Sequence, residues 1–117
     1  MADLTIDLRT GGALPVLDVA GEIDVYQAPR LRERLDALLD AGTSRLAVNL
    51  SSVTYIDSTG LGTLVAVRKR ALAAGGELRL ICPNPSIRRV FEITGLLPVF
   101  PFFDREESAL SAPSAAP

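Results

Sequence analysis

An α/β domain with a mixed sheet is predicted by three observations. Two apolar segments joined by a glycine turn open the chain, helical and strand-like periods alternate after them, and 117 residues suit a single hydrophobic core. The expectation is a four- to five-stranded sheet with about four helices, an initial hairpin preceding the alternating part.

Leu4-Thr5-Ile6-Asp7-Leu8 alternates apolar and polar residues as a half-buried strand does, and Thr10-Gly11-Gly12 supplies turn chemistry before a second run over residues 14–20. Pro15 stands near the start of that run, where a missing N–H is tolerated. From Pro29 the period becomes helical: Leu31, Leu35, Leu38 and Leu39 form one face, with Arg30, Arg32, Glu33, Arg34 and Asp36 opposite. Asp24 and Gln27 have the spacing of a capping box before this helix, and Gly42 closes it.

Leu46, Val48 and Leu50 alternate with Ala47 and Asn49 as a short third strand, and the apolar run resumes at Val53, Tyr55 and Ile56. After Asp57-Ser58-Thr59-Gly60-Leu61-Gly62 a second helical stripe runs through Leu61, Leu64, Val65 and Leu72 to Gly75-Gly76. Leu78-Arg79-Leu80-Ile81-Cys82 reads as a fourth strand, and Ile87, Val90, Phe91 and Thr94 as the inner face of a third helix that Gly95 ends. Residues 99–103 are expected as a fifth strand, interrupted by Pro101 and so at an edge, with a short helix over 104–110. The domain is expected over residues 1–110, with 111–117 as a flexible tail.

Composition narrows the function. Twelve Lys and Arg against fourteen Asp and Glu give a net charge of −2, without the basic run that nucleic-acid binding requires. The opening Met1-Ala2-Asp3-Leu4-Thr5-Ile6-Asp7 carries acids where a signal peptide carries bases, and no apolar run reaches membrane-spanning length, so a cytoplasmic location with no membrane partner is expected. With one cysteine and no histidine, Cys/His zinc sites and Ser-His or Cys-His catalysis are excluded. Cys82 ends an apolar strand and is expected to be buried and inert.

Residues 57–62 join a strand to a helix, where polar side chains meet the free N–H groups of the first helical turn. An N-cap at Asp57 or Ser58 accounts for one or two of them. It does not account for glycine at both 60 and 62, each costing roughly 1 kcal/mol relative to Ala inside a helix. A close approach to the backbone is required there, either by a neighbouring element or by a partner surface. Nucleotide binding is not supported: no Lys follows at P-loop spacing, and position 65 is Val where a dinucleotide fingerprint needs Gly. Gly21-Glu22-Ile23-Asp24 reads by chemistry alone as a turn leaving a strand, with Asp24 as a cap. Arg68-Lys69-Arg70 and Arg88-Arg89 fit solvated helix faces better than partner contacts.

Taken in order, Gly21-Glu22-Ile23-Asp24, Asp57-Ser58-Thr59-Gly60-Leu61-Gly62 and Ile93-Thr94-Gly95-Leu96 resemble the STAS domains of bacterial anti-anti-sigma factors, a resemblance running from about residue 4 to 103. It implies a protein that, unphosphorylated, binds an anti-sigma factor serine kinase and so releases a sigma factor for transcription. It further implies that Ser58 is the phosphorylated residue, that a PP2C-type phosphatase reverses the step, and that Glu22, Asp24, Asp57, Ser58, Thr59, Gly60 and Leu61 belong to the partner-binding surface. No cofactor, metal or catalytic residue is expected. Two other readings remain: a STAS scaffold or subunit of a stressosome or lipid-transport complex, and, more remotely, an acid/base enzyme using Asp24 and Asp57.

Overall fold

A computed structural model describes residues 3–114. The elements follow in the order β1 (Thr5–Arg9), β2 (Val16–Ile23), α1 (Ala28–Asp40), β3 (Arg45–Ile56), α2 (Ser58–Ala73), β4 (Glu77–Ile81), α3 (Pro85–Ile93), β5 (Phe102–Phe103) and α4 (Glu106–Ser111). Spatial order equals chain order in one five-stranded sheet. β1 pairs antiparallel with β2, and every later pairing is parallel, so each step from β2 to β5 requires a crossover.

Alternation decides which face each crossover covers. Leu17, Val19, Leu46, Val48, Leu50, Leu78 and Leu80 join Leu31 and Leu35 of α1, Leu61, Leu64 and Val67 of α2, and Ile87 and Phe91 of α3 in one core. On the opposite face Val16, Ala47 and Ile81 meet Ala109 of α4 in a smaller cluster. The mixed α/β fold, with its opening hairpin and alternating elements, is thus the one expected.

Details differ from the sequence expectation for physical reasons. β2 does not stop at Ala20 but continues to Ile23, and Gly21 belongs to it: its φ of 110° is one that side chains rarely adopt. A Cβ at Gly21 would also lie 2.4 Å from Asp3 O. β3 is one strand of 12 residues, not a short strand and a resumed run, because β2 keeps pairing with it through Ser52 and Tyr55 across two irregularities of register. The fifth strand shrinks to two residues, and Leu97–Val99 forms a 3-10 turn instead. Pro98 and Pro101 have no N–H to give a strand there.

Arg79, expected on an ordinary strand, is only 2% exposed beneath α4. Its guanidinium donates to Glu77 (2.7 Å), Ala109 O (2.5 Å) and Pro113 O (3.0 Å), and Ser114 Oγ lies 3.2 Å from the same Glu77 carboxylate. Within the segment expected as a tail, Pro113 and Ser114 make these contacts, and residues 115–117 lie outside the described residues. Among the described residues no helix is long and apolar enough to cross a membrane.

Candidate functional site

At the C-terminal end of β3 the chain turns into α2 through Asp57, whose extended backbone (φ −109°, ψ −175°) suits an N-cap. Asp57 Oδ1 accepts from Thr59 N at 3.0 Å and Gly60 N at 3.1 Å, satisfying two of the orphan donors of the first turn. Asp57, not Ser58, is the cap. Ser58 is the first helical residue; its side chain is exposed, and its hydroxyl makes no hydrogen bond among the described residues.

The neighbouring strand ends beside it. Asp57 N donates to Ile23 O at 3.2 Å, tying the exits of β2 and β3 together. Residues 24–27 form a turn in which Asp24 Oδ1 accepts from Tyr26 N (3.0 Å) and Gln27 N (2.9 Å). Asp24 therefore closes the turn leading into α1 and does not cap the helix as expected: Gln27 stands at the N-cap position without a side-chain cap bond, and its side chain binds Asp3 and Arg30. Glu22 stands across from Tyr55 in the β2/β3 ladder. Glu22, Asp24, Asp57, Ser58 and Thr59 are thus gathered at one end of the sheet.

Gly60 and Leu61, expected on the partner-binding surface, are buried and serve the core. A Cβ at Gly60 would meet Ile23 Cγ2 at 2.7 Å, Ile23 O at 2.9 Å and Ile56 Cγ1 at 2.9 Å, so the close approach is made by the fold itself. Gly62 is different: nothing lies within 4 Å of where its Cβ would be, and the position is exposed. The two glycines of the motif answer the same question in opposite ways.

Three residues of this surface were hidden in the sequence. Val25, Tyr26 and Tyr55 are 52%, 82% and 47% exposed around the two strand exits. Tyr55 sits in an apolar run with Val53 and Ile56 that reads as core throughout. Only a register in which Val53 and Ile56 face inward, with Thr54 and Tyr55 both outward across the irregular pairing, reveals it.

One arginine of each cationic cluster is held by acids within the fold. Arg70 bridges from α2 to Asp36 and Asp40 of α1, each at 2.8 Å, and Arg88 binds Asp104 at 2.6 Å while lying over the Phe102 ring. Cys82 is buried, and the loss of solvent pushes its thiol pKa up. Among the described residues no group of three His, Cys, Asp or Glu could hold a metal ion. Asp24 and Asp57 each commit Oδ1 to backbone amides, which does not favour their use as an acid/base pair.

Comparison with known proteins places this geometry. The STAS domain family matches residues 5–109. The anti-sigma-B factor antagonist of Bacillus subtilis is 36% identical over 108 residues, covering 92% of this chain and 98% of that protein. Its namesake from Staphylococcus aureus is 40% identical over 94 residues, covering 80% and 87% respectively. Among solved structures, an anti-sigma factor antagonist from Mycobacterium paratuberculosis matches with a TM-score of 0.85 at 28% identity, over 93% of this chain and 92% of the other.

Proposed function

The chain belongs to the STAS domain family, and we propose that it acts as an anti-sigma factor antagonist controlled by phosphorylation of Ser58. In this reading the unphosphorylated chain binds an anti-sigma factor serine kinase in the cytoplasm and so frees a sigma factor for transcription. The kinase then modifies Ser58, and a PP2C-type phosphatase resets it.

The observation that carries the proposal is the division of labour at the start of α2. Asp57 holds the helix N-terminus, while the adjacent Ser58 hydroxyl is exposed and structurally uncommitted. A kinase reaching Ser58 meets no hydrogen bond that must first be broken. Around it, exposed Val25, Tyr26 and Tyr55 offer apolar contact, and Glu22, Asp24 and Asp57 supply acids.

A phosphate there would add about −1.5 to −2 charges beside Asp57. The helix dipole would favour that charge within the free domain by roughly 0.3 to 1 kcal/mol, so the fold survives modification. The interface does not: closing it over a dianion adds desolvation to repulsion from the neighbouring acids. The switch therefore needs no rearrangement of the sheet.

The test is intact-mass analysis after incubation with an anti-sigma factor kinase and ATP. One phosphate on the wild-type chain and none on Ser58→Ala is expected. Equal incorporation in both would move the acceptor elsewhere, Thr59 being the exposed neighbour.

A further inference from the structure

Among the free stretches of strand edge in this sheet, three are each closed in their own way. β5 offers two residues, preceded by Pro101. β3 outruns β4 beyond the Asn49–Ile81 pair, and there Asn49 Oδ1 takes Ser51 N at 3.1 Å while Asn84 Nδ2 reaches Val53 O at 3.4 Å. The third edge is the outer side of β1, five residues long. Arg30 Nη1 donates to Leu4 O at 2.9 Å, and Arg34 Nη1 donates to Ile6 O at 3.3 Å.

The spacing makes this a ladder. Four residues of helix rise about 6 Å, and two residues of extended chain advance about 6.8 Å, so arginines at i and i+4 of α1 meet the outward carbonyls of Leu4, just before β1, and Ile6 within it. The next rung would join Leu8 O to position 38, but that residue is Leu38, which has no donor. Leu8 is itself exposed.

We propose that Arg30 and Arg34 hold the β1 edge closed against strand addition by a second copy of this chain. An unguarded edge of this length is a template for pairing. Antiparallel β1 strands centred on Ile6 would set Leu4 against Leu8, Thr5 against Asp7 and Asp3 against Arg9, opposing apolar to apolar and anion to cation with no like charges face to face. The resulting contact is two-fold and self-complementary. The two guanidinium groups occupy two of the acceptors such a pairing needs, Leu4 O and Ile6 O, and leave Leu8 O open. Their work lies on the far side of α1 from the surface it shares with α2 and requires no partner protein.

Sedimentation velocity over a concentration series tests this on wild type, R30A/R34A, and R30A/R34A/L8P. The double variant is expected to self-associate where wild type does not. Leu8→Pro removes one outward N–H and leaves the bonds to β2 in place, so the triple variant should return to the wild-type profile. A double variant that sediments as wild type does would overturn the proposal, as would a triple variant that associates as strongly as the double. Circular dichroism checks folding; should the double variant not fold, Arg34→Ala alone frees the central Ile6 carbonyl and is judged by the same two outcomes.

Discussion

Gly60 is pressed onto Ile23: a Cβ there would lie 2.7 Å from Ile23 Cγ2 and 2.9 Å from Ile23 O. This contact sets the start of α2 against the end of β2, and so fixes Ser58 beside the turn carrying Asp24, Val25 and Tyr26. The backbone oxygen cannot give way as a flexible side chain can.

Gly60→Ala is therefore expected to destabilise the domain, overpacking costing about 1–3 kcal/mol against roughly 1 kcal/mol gained in helix propensity. Gly62→Ala meets open space and should stabilise by up to about 1 kcal/mol while weakening kinase binding. Thermal unfolding with kinase titration checks both. A Gly62→Ala chain that binds as wild type does would mean that no partner backbone approaches that face.

Asp57→Ala should cost about 0.5–2 kcal/mol, because it removes the acceptor for two first-turn amides. Asp57→Asn keeps an oxygen there and should lose less. Ser58→Ala, at an exposed residue outside the cap, should change stability by no more than about 0.5 kcal/mol. Denaturant unfolding of the three variants separates the roles, and a larger loss in Ser58→Ala than in Asp57→Ala would reverse them.

Acid should loosen the α4 side of the sheet. The hydrogen bond from Arg79, opposed by desolvation, holds the Glu77 carboxyl below its ordinary value of 4.5. Because this folded-state pKa is depressed, its stabilisation is present above the unfolded value and is lost as pH falls through the folded one. Glu106 and Asp18, each held low by its hydrogen bond to Arg9, add to the same acid limb. Glu77→Gln should be less stable at neutral pH and should decline less steeply on acidification. An acid limb as steep as wild type would remove Glu77 from this account.

Much of this was legible before the fold was known. Period alone separates β1 and β2 from α1, and the polar-glycine segment at 57–62 marks the strand exit that carries the site. What stayed hidden depends on contacts between distant segments. Local alternation cannot carry β3 through Ser51 and Ser52, since its pairing with β2 does so. Nor can it separate Gly60 from Gly62, which differ only in what stands opposite. Arg79 looks like any strand arginine until Ala109 and Pro113 supply their carbonyls, and Arg30 and Arg34 look like a solvated face until β1 lies beside them.

The most direct test of the central claim is the affinity of an anti-sigma factor kinase for the chain with and without phosphate on Ser58, measured alongside Ser58→Ala and Ser58→Asp. Two charges about 4 Å apart interact by roughly 4 kcal/mol at an effective dielectric near 20, and a loss of 1.4 kcal/mol already lowers affinity about tenfold. The phosphorylated chain is expected to bind more than about tenfold more weakly than the unmodified one. Ser58→Ala should bind as the unmodified chain does, and Ser58→Asp, with about half the phosphate's charge, should fall between them. A folded, phosphorylated chain that binds the kinase as tightly as the unmodified one would contradict the account.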